Sequence, residues 1–251
     1  MARSRRRYRR ILNHKSSDRK SRSLTVGGRH VCEAAAAAGR LQRLFVSDSE
    51  PAWARRLDVP VETVSAGELR RRFGSEASRG AVGEVVAPEP IAADEVLARA
   101  ADLERPVVVL EDVQDPQNLG SVFRAAAAFG AAGIIRTRHR SAPLSATVLR
   151  ASVGTAFRVP WAEVGGLPNW LLKVEIPAVG FVVNGGTHPA GLNLPQPLLL
   201  CFGSEGRGLR RLTVKRCSDR ATLPMESAES LNVAQAVTAV LYEFQRQRLY
   251  P

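Results

Sequence analysis

The sequence predicts an α/β protein whose larger, C-terminal part is built on a mainly parallel sheet, with a smaller α/β unit before it. Three observations carry this. Short continuous apolar runs at Val107 to Leu110, Gly133 to Ile135, Val179 to Val183 and Leu198 to Phe202 read as strands buried on both faces. Helical patterns separate them, as parallel connections require. A proline-rich break, Ala87-Pro88-Glu89-Pro90, divides this region from shorter alternating segments upstream.

Taken in order, residues 1–22 form a basic tail with no apolar periodicity, expected to be disordered when free. It holds ten Lys or Arg against one acid, Asp18, so the remainder carries only +3 of the net +12. A polyanion partner is one reading of such a tail, and a merely solubilising segment is the other. Residues 23–88 read as a small α/β unit. Strands are expected near Leu24 to Gly28, Leu44 to Val46, Val59 to Val64 and up to Val86. Helices are expected at Val31 to Gly39, Ala66 to Phe73 and, briefly, Trp53 to Leu57. Residues 89–106 read as a linker containing a helix, and 107–251 as the second domain. There, helices are predicted over Asn118 to Phe129, stopped by Gly130, and over Leu144 to Val153, with an extended segment at Phe157 to Trp161. The last helix, from Leu231 to Phe244, is apolar on nearly every side and suggests a core or a subunit interface.

Composition excludes several classes. No apolar run reaches the roughly 20 residues that cross a bilayer. Cys32, Cys201 and Cys217 form no CxxC pair and suit buried reduced thiols, which points to a reducing, cytoplasmic location. The four histidines show no metal-ligand spacing, and there is no Gly-x-Ser-x-Gly elbow.

Three stretches could carry chemistry. The first runs from Leu110 to Gly120 into a helix bearing Asn118 and, six residues on, Arg124. A plain N-cap with a solvated arginine is the bland alternative, although a lone charge among small apolar residues usually has a partner. The second is Gly203-Ser204-Glu205-Gly206-Arg207-Gly208 at a strand end. It is neither a Walker loop nor a dinucleotide fingerprint, and a flexible turn is its alternative. The third is Leu223-Pro224-Met225 followed by Ser230-Leu231-Asn232, where Ser230 could simply cap the last helix.

Taken together, these stretches resemble the three signature motifs of the SpoU/TrmH-type RNA 2′-O-ribose methyltransferases of the SPOUT superfamily. The unit before them, with Gly28-Arg29-His30-Val31-Cys32-Glu33-Ala34 and Ser78-Arg79-Gly80-Ala81-Val82, resembles the small RNA-binding domain of the ribosomal-RNA branch. The resemblance implies a C-terminal sheet threaded into a deep trefoil knot, S-adenosylmethionine held in that knot, and a homodimer formed through the C-terminal helix with the active site near the interface. It implies catalytic roles for Asn118, Arg124, Glu205, Ser230 and Asn232. Cofactor contacts are implied at Gly203, Leu223, Met225 and Leu231. The implied reaction is methyl transfer to a ribose 2′-hydroxyl, with a guanosine of 23S rRNA as the leading target. Transfer RNA as substrate, or a non-catalytic ribosome-assembly role, are the alternatives. Arginine is too weak an acid to serve unaided as a base, so Arg124 is expected to clamp a phosphate. Two positions depart from the family pattern: a short Met225–Ser230 loop with Ser227 where glycine is common, and Ala234 where serine is frequent.

Overall fold

In the computed structural model, which describes residues 22–250, two sheets share one apolar core. The basic tail lies outside the described residues except for Arg22. The first sheet is mixed, in the order β1-β4-β2-β3, with β1 Ser23–Gly27, β2 Leu41–Ser47, β3 Val61–Val64 and β4 Ala81–Val86. Helix α1 (Arg29–Ala37) packs on it through Val31, Cys32 and Ala35. Helix α2 (Ala66–Phe73) is capped by Ser65, whose hydroxyl accepts from Glu68 N.

The stretch expected to be a linker is not a spacer. It forms α3 (Ala93–Leu103), whose Val96, Leu97 and Ala100 are buried in the core of the second sheet. A helix with a complete apolar stripe must cover something, and this one covers a sheet face. Ile91 just before it bridges to Ala162.

The second sheet has six strands, β10-β8-β9-β5-β6-β7, and every pairing is parallel. The strands are β5 Val107–Leu110, β6 Gly133–Thr137, β7 Trp161–Val164, β8 Ala178–Phe181, β9 Leu199–Phe202 and β10 Asp219–Ala221. Helices α4 (Pro116–Phe129), α5 (Ala146–Ala151), α6 (Leu167–Leu171), α7 (Arg211–Arg216) and α8 (Val233–Leu249) connect or cover them. The extended segment expected up to Trp161 is instead a 3-10 turn at Thr155–Phe157, with the strand beginning at Trp161.

Gly130, at φ +75°, ends α4, as its sequence position suggests. Helix α8 is less uniformly apolar than the sequence suggests. Val233, Val237, Val240, Leu241 and Phe244 are buried, whereas Gln235, Thr238, Ala239 and Tyr242 are exposed. Its inner stripe packs on α4.

Candidate functional site

The site lies at the carboxyl ends of β5 and β9, where parallel sheets place ligands. After β9 the chain makes a closed corner. Ser204 and Gly208 bridge, with Gly208 N donating to Ser204 O at 2.8 Å. Gly206 and Gly208 have φ of +80° and +63°. A Cβ on Gly203 would stand 1.9 Å from the Gly208 carbonyl carbon, so only glycine allows the corner to fold back this tightly.

A buried carboxylate fastens the corner's far end. Glu111, 1% exposed, accepts from Arg210 N at 2.9 Å and from the Thr213 hydroxyl at 2.6 Å. The Arg210 guanidinium pairs with Asp112, and that hydrogen bond raises its pKa. Asp112, at φ +58°, is in turn held by Thr137, to whose hydroxyl oxygen its amide donates at 3.0 Å.

Asp115, not Asn118, caps α4. Its carboxylate accepts from Gln117 N at 2.8 Å, and Pro116 takes the first helical position. Asn118 is therefore inside the first turn with a free side chain. It is 8% exposed, and its Nδ2 donates to Glu205 Oε1 at 2.5 Å. Asn232 caps α8, accepting from Ala234 N at 2.9 Å and Gln235 N at 3.4 Å. The cap is thus Asn232 and not Ser230. The Asn232 amide nitrogen also donates to Asn118 Oδ1 at 2.9 Å and to Glu205 Oε1 at 2.7 Å. One residue from each motif stretch meets in this network, across separations of 87 and 114 positions.

Two cavities flank the network. The first, about 270 Å³, is largely apolar and sits over the stacked rings of Phe181 and Phe202, whose centroids are 4.5 Å apart. Gly203, Leu223, Met225, Ser230 and Leu231 all line it. The second, about 680 Å³, is polar and lined by Asp112, Gln114, Asp115, Asn118 and Arg140 among others. Ser204, Glu205 and Arg207 line both.

Residues 105–242 match the SpoU rRNA Methylase family. The chain belongs to that family. It is 35% identical over 204 residues to the 23S rRNA (guanosine-2'-O-)-methyltransferase RlmB of Coxiella burnetii, covering 79% of this chain and 81% of that protein. It is 36% identical over 197 residues to an uncharacterized tRNA/rRNA methyltransferase of Mycolicibacterium paratuberculosis, covering 76% of this chain but only 63% of that longer protein. The fold is similar to the SpoU methyltransferase AviRb of Streptomyces viridochromogenes in complex with AdoMet, with a TM-score of 0.77, 26% identity and 98% of both chains covered.

Of the residues for which the resemblance implies catalytic roles, Asn118, Glu205 and Asn232 are in direct contact, and Ser230 stands on the wall of the first cavity. Arg124 is apart from them. It is exposed and lines neither cavity, and Asn118 bonds to Glu205 and Asn232 rather than to it. The partner expected for Arg124 is not found among the described hydrogen bonds and ion pairs.

The basic stretch from Arg136 to Arg140 also divides. Arg136 is buried, pairs with Glu163, donates to Ala142 O at 2.9 Å and lies 5.0 Å from the Trp161 ring centroid. Burial lowers its pKa. It braces the fold and offers nothing to a phosphate, whereas Arg138 and Arg140 are exposed.

Sequence reasoning missed the Glu111–Thr213 latch and the cavity roles of Ser204, Arg207 and Arg140. Asp115-Pro116 was a readable cap signal. No helix among the described residues is long and apolar enough to cross a membrane.

Proposed function

We propose that the protein transfers a methyl group from S-adenosylmethionine to a ribose 2′-hydroxyl of RNA, with a guanosine of 23S rRNA as the target. The observation that carries this is the pair of cavities with one shared wall at Glu205. The apolar cavity with its glycine backbone suits an adenosyl group, and Gly203, Leu223, Met225 and Leu231 would hold it. The bound cofactor supplies a methyl group already activated on a sulfonium, so positioning provides much of the rate. The polar cavity suits a ribose and its phosphate. The Asn118–Glu205–Asn232 network orients the nucleotide, and Ser230 fixes the loop beside the cofactor.

Arg124 is assigned as the clamp on the neighbouring phosphate. Because it lines neither cavity, it acts within a homodimer, one subunit's Arg124 serving the other's cavities. The outward face of α8, with Tyr242 61% and Leu249 58% exposed, supports docking of a second copy there. The knot belongs to this reading too: the loop 222–232 lines the same cavity as the corner 203–208 before entering α8. The four-stranded unit would bind RNA by shape or by a splayed base, and the basic tail would contact phosphates, in the cytoplasm.

The test is transfer of label from S-adenosylmethionine to undermethylated ribosomal RNA, set against bulk transfer RNA, with Arg124→Ala as control. Label in ribosomal RNA that disappears in the variant is expected. Label in transfer RNA alone would keep the chemistry and replace the substrate. Undiminished transfer by Arg124→Ala would remove the clamp.

A further inference from the structure

We infer that Glu205 is the proton acceptor of the reaction, taking the 2′-hydroxyl proton on Oε2. The inference rests on the methyl-transfer reading above and assigns the step that reading leaves open. The attacking oxygen must lie where the two cavities meet, with the donor on one side and the ribose on the other. Three residues line both cavities: Ser204, Glu205 and Arg207. An arginine is permanently protonated and a serine hydroxyl is no stronger a base than the ribose it would serve. That leaves the carboxylate.

The hydrogen bonds around Glu205 fit the role. Both amides, from Asn118 and Asn232, donate to Oε1. Oε2 has no hydrogen-bond partner among the described residues. The carboxylate is thus held by one oxygen and free at the other, the arrangement a general base needs. The other carboxylates of the second cavity, Asp112 and Asp115, do not line the first. Asp112 is held by Arg210 and Thr137, and Asp115 caps α4. The charged groups facing Glu205 across the cavity are Asp112, Asp115, Arg140 and Arg207.

The step balances without a further reactant. The O–H bond breaks as the O–CH3 bond forms, and the proton passes to Oε2. The electron pair of the broken S–CH3 bond stays on sulfur, leaving a neutral thioether. Water then takes the proton from the carboxylic acid. On this assignment Arg124 positions the phosphate and moves no proton.

The experiment is single-turnover transfer at saturating RNA and cofactor for wild type, Glu205→Gln and Glu205→Gly. The expected loss in Glu205→Gln is about 10²–10⁴-fold, with cofactor binding retained by calorimetry. Formate should restore part of the rate to Glu205→Gly, in proportion to the formate anion. Glu205→Gln at the wild-type rate would overturn the assignment, as would a slow Glu205→Gly that formate leaves unchanged. Wild type that methylates no RNA would instead overturn the proposed function itself, and this step with it.

Discussion

Thr213→Val tests how the glycine corner is held. Thr213 is fully buried, and its hydroxyl donates to Glu111 Oε1 at 2.6 Å. Valine keeps the shape and removes the donor. The buried carboxylate then retains the Arg210 amide at 2.9 Å on its other oxygen, with the Arg210 guanidinium 3.9 Å from the deserted one. A hydrogen bond to a buried charge contributes about 1.5–3 kcal/mol, so the expected loss is about 2 kcal/mol. For a chain of this size that lowers Tm by about 4–8 °C. Because the latch closes the far end of the 203–208 corner, affinity for S-adenosylmethionine should fall as well, although Thr213 lines neither cavity. Urea unfolding and calorimetric binding measure the two effects. Thr213→Ser keeps the hydroxyl and loses one methyl, worth about 0.8 kcal/mol. If Thr213→Val is no less stable than Thr213→Ser, the latch does not hold the corner and the reasoning fails.

The corner itself gives a second prediction. Gly203→Ala puts a carbon 1.9 Å from backbone where contact normally begins at about 3.5 Å, so the corner must open and calorimetry should show cofactor binding lost. Gly206→Ala meets nothing within 4 Å and should cost only the left-handed strain, about 1–2 kcal/mol in a urea titration, with affinity little changed. Asn232→Ala should lose about 1 kcal/mol of helix capping and abolish transfer. Asn232→Asp should restore the cap but neither the full stability nor the transfer, because it sets a second carboxylate against Glu205 in place of a donor. Burial pushes the Cys32 thiol from 9.0 up to about 12. The unfolded thiol ionises first, so its contribution is whole below pH 9 and is lost as the pH rises towards about 12. Cys32→Ala should therefore flatten the alkaline limb of stability against pH.

Much of the parallel sheet was legible because its strands are buried on both faces and so appear as unbroken apolar runs: Val107 to Leu110 is a strand with the predicted bounds. Helix starts were less evenly legible than strands. The apolar pattern over Ala66 to Phe73 places α2 without its Ser65 cap, whereas α4 begins at Pro116, two residues before the Asn118 start expected, because Asp115-Pro116 is its cap and first residue. The cap signal lies three residues earlier, and Asn118 inside the first turn keeps both ends of its amide for Glu205 and Asn232. The network itself cannot be read locally. Its members lie up to 114 positions apart, and no spacing within one motif announces that two amides converge on one carboxylate oxygen. The linker was misread for a related reason: a proline-rich start looks like a break until the apolar stripe of α3 finds the sheet it covers.

The two sheets are joined more firmly than a tethered binding module would be, and this bears on substrate choice. Glu76, in the turn before β4, accepts from Gly27 N at 2.7 Å through one oxygen and pairs with Arg150 of α5 through the other. Gly154, at φ +78°, sits so close to α1 that an added Cβ would be 2.3 Å from the Ala34 methyl. Val26, Val31, Cys32 and Ala35 share a core with Val148, Leu149 and Ala156. Sliding one unit against the other would therefore break a half-buried ion pair and open apolar surface at once. An RNA bound to the four-stranded unit then meets the cavities at a fixed offset. If the first unit reads a base as proposed, selection of the nucleotide would be geometric, that base setting which ribose reaches Glu205. Rigid placement of a binding surface beside a site is also what makes positioning an effective source of rate, since a displacement of about 1 Å can cost about a hundredfold.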